Sequence, residues 1–296
     1  MRATKLLPDN LPFVQEGKPI KLQTAEEKKR DLLNRLEIGK DGNALFLPHV
    51  GEFGHRVMTA MRIVHFNKAR VKVVCCRDGE QVLYPTAKRF VTDWPDPIPD
   101  NVRGGPGEAF RWPQIEKRFP GFAVVDTGGL DFDQELICIN ASQRVPMFPL
   151  RRGLKTDVCL GIRNREFCPE KNWLYWDRLA QAIRNAGFTF SVLGVRPTTL
   201  DLEGQSVHSS DYDTDAVVEL IMNCRLYLGT DTGISHLAAT IGADMIVWRE
   251  ESPHNRDLRP EMEKRNPYGV KMLRDGCWSD PDYVINEALV TLHAKT

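Results

Sequence analysis

Apolar residues fall along this chain in two patterns: solid short runs that suit buried strands, and stretches where they return every three to four positions, as on one helix face. Residues 1–23 show neither pattern and carry scattered prolines, so they read as an N-terminal arm. Thr24 then opens a helix. Thr24 and Glu27 have capping-box spacing, Leu32, Leu33 and Leu36 form a stripe, and Gly39 supplies a stop. Residues 44–50 (ALFLPHV) read as a buried strand, 51–55 as a glycine-containing turn, 57–66 as a helix and 70–76 as a second strand. Parallel neighbours need such a crossover helix, and the crossover should be right-handed. Further strands are expected at 122–126 and 135–139. Before them, residues 95–111, with Gly104-Gly105-Pro106-Gly107, read as a long functional loop.

After Arg151-Arg152 the pattern restarts. Strands are expected at 157–162, 188–193, 226–229, 245–248 and 270–273. A helix at 173–186 carries the stripe Trp176, Leu179, Ala180, Ile183 and ends at Gly187; another, from Asp215, carries Val217, Leu220, Ile221 and Cys224. The last helix has Pro281 in its first turn and the stripe Ile285, Ala288, Leu289, Leu292. Strands alternating with helices predict an α/β chain with parallel sheets, and the restart predicts two of them, over residues 24–152 and 153–296. The last helix is a candidate to pack back on the first lobe.

Composition narrows the reading. The 296 residues hold 40 Lys plus Arg against 40 Asp plus Glu, so no global field favours nucleic acid or an anionic membrane. The 7 cysteines, Cys75, Cys76, Cys138, Cys159, Cys168, Cys224 and Cys277, include no C-x-x-C pair and suit a reducing compartment. Cys168, in a polar loop, is the one with scope for reactivity. No run is long and apolar enough for a membrane span and the N-terminus is too polar for a signal peptide, which points to a cytoplasmic protein, a monomer or weak oligomer.

Candidate chemistry concentrates where residues 227–236 (YLGTDTGISH) pass from strand to helix. Amides at a helix start lack intrahelical acceptors, and the dipole there is positive, so the junction suits phosphate oxygens. Gly233 admits an anion to the backbone, Thr232 offers a hydroxyl, and His236 lies one turn in. A plain N-cap at Asp231 or Thr232 explains the same letters. The following stretch, HLAATIG, is apolar nearly all round, so His236 needs a partner or a cleft. A second loop, with Arg163, Arg165 and Lys171, places cations at a helix start, where an intervening anion would stabilise them.

These residues resemble glycosyltransferase family 9, the lipopolysaccharide heptosyltransferase-like enzymes. The resemblance rests on the D-[ST]-G-x-x-H-[LI]-A run at Asp231 to Ala238 and on K-x-W at Lys171 to Trp173, and covers residues 155–295. Leu174 stands where a proline usually follows K-x-W, and Glu52 stands where the family's first βα turn carries an aspartate. The resemblance implies a GT-B fold, two Rossmann-like lobes whose parallel sheets face a central cleft, and an inverting, metal-independent glycosyltransferase with no cofactor. Its donor, a nucleotide-diphosphate sugar, would lie on the C-terminal lobe and its acceptor on the N-terminal one. Donor-binding candidates are Asp231, Thr232, Gly233, His236, Lys171 and Arg163, with Gly194, Val195 and Arg196 near the nucleotide. Glu52 is the first choice of base and His55 the alternative. Asp131-Phe132-Asp133 and Asp211-Tyr212-Asp213 have the letters of a metal-binding D-x-D but read as loop carboxylates.

The acceptor is open between a glycan and a modified base in DNA, since Arg103, Phe110, Arg111, Trp112, Lys117 and Arg118 interleave cations with aromatics around the long loop. A nucleotide-sugar epimerase of similar fold and a non-catalytic nucleotide-sugar binding protein are the competing readings. A dinucleotide-dependent oxidoreductase is disfavoured, because no G-x-G-x-x-G follows any expected strand.

Overall fold

A computed structural model describes residues 24–50, 53–93, 108–109, 113–128, 145, 147, 152–166, 169–194, 199–200, 202, 205–208, 213–250, 262–263, 266, 269–273, 278 and 280–295. Helix α1 (Ala25–Glu37) starts on the expected capping box, with the Thr24 hydroxyl accepting from the Glu27 amide and the Glu27 carboxylate accepting from the Thr24 amide. Strand β1 (Asn43–Phe46) is shorter than the apolar run. Pro48 has no N–H for a ladder, and the chain breaks before β2 (His49–Val50), which pairs antiparallel with β5 (Glu108–Ala109). Helix starts earlier than the stripe suggested: α2 (Phe53–His55) runs through a π turn (Arg56–Ala60) into α3 (Met61–Phe66). Strands β3 (Val71–Cys75) and β4 (Arg89–Val91), helix α4 (Pro113–Arg118) and strand β6 (Ala123–Val125) complete the first lobe. The strand expected at 135–139 lies outside the described residues, as does all of the 95–111 loop except β5.

The second lobe contains β7 (Val158–Gly161), α5 (Trp176–Asn185), β8 (Phe190–Gly194), β9 (Gln205–His208), α6 (Thr214–Asn223), β10 (Leu226–Gly229), α7 (Gly233–Ile241), β11 (Met245–Val247), β12 (Val270–Met272) and α8 (Pro281–His293). Every pairing in both large sheets is parallel. The orders are β4-β3-β1-β6 and β12-β11-β10-β7-β8-β9. Numbered within the second lobe, the latter is the 3-2-1-4-5-6 order of dinucleotide-binding folds. In each sheet the order reverses beside the lobe's first strand, between β1 and β6 and between β7 and β10. Ligands of open α/β sheets bind at such points, beyond the carboxyl ends of the strands.

The final helix contributes to the second lobe: its buried Val284, Ala288 and Leu292 join Trp173, Trp176, Ile183 and Trp248 in one apolar core. One element that joins the lobes is α7, buried from Ile234 to Thr240. Ile234, Leu237, Ala238 and Ala239 share one apolar cluster with Val57, Ala60, Met61 and Val64 of the first lobe. The Ala residues and Gly233 let the two helices approach closely. A methyl at Gly233 would sit 2.8 Å from the Gly54 amide nitrogen. At the lobe boundary the buried Glu219 carboxylate accepts the amides of Arg152 (3.2 Å) and Gly153 (2.8 Å). No helix among the described residues is long and apolar enough to cross a membrane.

Candidate functional site

The reversal between β7 and β10 brings the two sequence-predicted loops together. Gly161 and Gly229, the last residues of these strands, are register partners. Beyond them, Arg163 Nη1 donates across the crevice to the Asp231 carbonyl at 3.2 Å. His236 Nε2 lies 3.1 Å from Asp231 Oδ1. A carboxylate can only accept, so Nε2 carries the proton. Thr232 is the N-cap of α7, its hydroxyl accepting from the Ser235 amide at 3.2 Å. The cap reading and the phosphate reading therefore coexist: Thr232 satisfies one of the first-turn donors, and helix geometry gives the Gly233 and Ile234 amides no intrahelical acceptor. Two further polar atoms, Arg163 Nε and Thr230 Oγ1, are buried without a hydrogen-bond partner among the described residues. Buried donors of this kind are costly unless something accepts from them.

Lys171 ends a single 3-10 turn (Pro169–Lys171), and the residues on its C-terminal side anchor it. Asn172, buried, accepts from the Arg165 amide at 2.8 Å and donates to the Arg165 carbonyl at 3.0 Å and to Asn164 Oδ1 at 3.3 Å. Trp173 is sunk among Trp176 and Trp248, with centroids 5.1 and 5.0 Å away, and its indole N–H donates to the Trp278 carbonyl at 3.0 Å. The K-x-W spacing thus ties a half-buried lysine to the loop of Arg163 on one side and to the lobe's aromatic core on the other. Leu174 is exposed.

Other candidates fall elsewhere. Gly194 ends β8, and the space a Cβ would take there is filled by Thr199 at 2.5 Å. Val195 and Arg196 lie outside the described residues, as do Glu52, Cys168, Arg103, Phe110, Arg111, Trp112, the Asp131–Asp133 triplet and Asp211. His55 is the last residue of α2, next to the Gly54 backbone that meets Gly233. Asp213 pairs with Arg152, Arg118 with Asp93 at 2.7 Å. Among the described residues no group of three or more His, Cys, Asp and Glu is placed to hold a metal ion.

Sequence reasoning missed the hydroxyl cluster behind the phosphate loop. The buried Tyr227 hydroxyl lies 2.9 Å from Ser235 Oγ, which lies 3.0 Å from Thr232 Oγ1 and donates to the Thr230 carbonyl at 2.5 Å. Burial holds the Tyr227 phenol well above its ordinary pKa range. The Tyr227 ring packs where Gly161 and Gly229 leave room: a Cβ at Gly161 would meet the hydroxyl at 1.7 Å, and one at Gly229 would meet the ring at 2.7 Å. Glycines ending two adjacent strands, with a tyrosine two residues before one of them, are the signal that could have found it.

No protein-family model matches the chain, and no curated protein matches it. Solved structures do. E. coli ADP-heptose lipopolysaccharide heptosyltransferase II aligns with a TM-score of 0.53 at 14% identity, covering 85% of this chain and 99% of that one. A family 9 glycosyl transferase from Veillonella parvula DSM 2008 aligns with a TM-score of 0.51 at 12% identity, covering 88% and 100%. TibC, described as a dodecameric iron-containing heptosyltransferase in complex with ADP-D-beta-D-heptose, aligns with a TM-score of 0.50 at 14% identity, covering 83% and 67%. The chain has the two-lobed α/β fold of family 9 glycosyltransferases. At these identities the likeness is one of fold.

Proposed function

We propose that this chain is an inverting glycosyltransferase that moves a sugar from a nucleotide-diphosphate donor to a hydroxyl acceptor without a metal ion. The observation that carries the reading is the strand-order reversal between β7 and β10, beyond which Arg163 holds the Asp231 carbonyl at the α7 start, with the Thr230 hydroxyl buried beside it. In the reaction the acceptor oxygen attacks the anomeric carbon as its proton passes to a base, and the bonding pair of the glycosidic C–O bond leaves with the diphosphate. Charge gathers on that diphosphate in the transition state. Fixed donors aimed at it stabilise this state more than the ground state. Gly233, Thr232, Arg163 and Lys171 are assigned that work, and His236, whose Nε2 proton goes to Asp231, holds the loop in place beside them.

The base is assigned to Glu52 first, which precedes α2 in sequence, and to His55 second, because α2 meets the donor helix through Gly54 and Gly233. The acceptor is then held by the first lobe. A glycan is the assignment, two of the structural neighbours being described as heptosyltransferases. DNA bearing a modified base is the second choice, on the strength of the cation and aromatic cluster around residues 103–118. Lys171→Ala should lower turnover by roughly 10², the loss expected for one transition-state donor, and His236→Ala should lower it by releasing Asp231. Near-normal turnover in both would remove the assignment. Glu52→Ala should abolish transfer while leaving donor binding in place, which separates a transferase from a sugar-nucleotide binding protein.

A further inference from the structure

The first lobe buries an ion pair. Arg56, which opens the π turn, lies with Nη2 3.0 Å from Glu80 Oε1, and both side chains are more than nine-tenths buried. Taking two charges out of water is costly, and apolar residues of similar volume often serve stability as well or better, so stability alone explains such a pair poorly. What it fixes is a line of contacts that begins and ends on the second lobe. Glu80 immediately precedes the 3-10 turn Gln81–Leu83, which lies against α6, and Leu83 shares an apolar cluster with Val217 and Leu220 of that helix. On the other side the Arg56 guanidinium stands over the Phe53 ring, 5.7 Å from its centre. Phe53 in turn meets α7: a methyl at Gly233 would lie 3.2 Å from Phe53 Cδ1, beside its 2.8 Å approach to the Gly54 nitrogen. The space that a side chain at Gly233 would take is thus filled by the first lobe, and the start of the donor helix rests on Phe53.

We propose that Arg56 and Glu80 are positioning residues for the donor diphosphate: by holding Phe53 against Gly233 they keep the start of α7 where its amides meet the phosphate oxygens. The inference rests on the glycosyltransferase reading above, since it needs a diphosphate at the α7 start. The chemistry suits the task. A guanidinium is planar, so its face can lie on an aromatic ring while its edge meets a carboxylate, and the attraction to the ring strengthens away from water. Phe53 and Arg56 are three residues apart in one continuous helical run, a spacing that puts them on the same face. Glu80 is itself fixed from its own turn, its amide donating to the Arg77 carbonyl at 3.1 Å. Helices with π turns of this kind recur at functional sites. The pair acts through Phe53 on the phosphate end of the site, so its effect is the same for any ligand that presents a diphosphate.

Calorimetric titration of the full chain with ADP and with inorganic pyrophosphate, set beside each variant's melting temperature, tests this. Removing one partner alone strands a buried charge, so the informative variant combines Arg56→Met with Glu80→Leu and replaces the pair by apolar side chains. Its melting temperature should be unchanged or higher, while both probes bind about threefold to tenfold more weakly, the size of a lost cation–π contact. Phe53→Ala should weaken both probes to a similar degree, and adding the double substitution to it should have no further effect. A merely structural pair would lower the melting temperature and leave the affinity of the folded protein unchanged, which overturns the positioning role. Unchanged affinity in Phe53→Ala, a loss confined to ADP, or an equal further loss in the Phe53→Ala background overturns it too, and each leaves the donor site standing. Should the double variant fail to fold, Arg56→Lys, which keeps the charge and gives up the planar face, carries the test: weaker binding of both probes is expected, and unchanged affinity overturns the role. Failure of the unmodified chain to bind either probe overturns the donor site itself, and the inference with it.

Discussion

At Gly161 an added methyl would lie 1.7 Å from the Tyr227 hydroxyl oxygen, a separation that no rotamer change at the alanine could relieve. The neighbour is a large ring buried between two strands and tied to Ser235, so it cannot swing aside. Gly161→Ala should therefore cost about 1–3 kcal/mol or more in chemical denaturation, as overpacking does. Stability equal to that of the unmodified chain would show that the ring has another place to go. The letters of this site were only partly legible. Asp231, Thr232 and His236 stood out because a strand ran into an all-apolar helix. Tyr227 and Ser235 did not, because a tyrosine in a strand and a serine in a helix carry no signal until the parallel register sets Gly161 beside Gly229.

At the scale of elements, the strands legible in sequence were those buried on both faces, such as β7, β10 and β11, whose residues form solid apolar runs. Strands β4 and β9 were not expected. Both lie at sheet edges, and their sequences, RFV and QSVH, lack such a run. The last helix was legible as amphipathic, but its stripe does not say which lobe it covers; α8 lies over the tryptophan cluster. That cluster gives the K-x-W spacing its physical content. Trp173 holds the Lys171 turn to the core, so Trp173→Ala should cost about 3–5 kcal/mol. Donor affinity should fall with it even at temperatures where the variant remains folded. Loss of stability with unchanged donor affinity would show that Lys171 is positioned by Asn172 alone.

At the scale of the whole molecule, the two lobes are joined by an apolar cluster that includes Val57, Ala60 and Met61 from one and Ile234, Leu237 and Ala238 from the other. Neither lobe can unfold without exposing the partner's share of that cluster. Calorimetry should therefore show one transition with equal calorimetric and van't Hoff enthalpies, and two resolved transitions would contradict it. The same packing sets the donor helix against α2, which is why a diphosphate at α7 is the central claim. Differential thermal shift with a panel of nucleoside diphosphates and sugar nucleotides tests it most directly. A ligand at about 100 times its Kd adds about 2.7 kcal/mol, enough to raise the melting temperature by about 4 °C in a chain of this size. At least one diphosphate should produce that rise, its monophosphate should not, and Arg163→Ala or His236→Ala should remove it. No shift with any diphosphate, or an equal shift in both variants, would contradict the account.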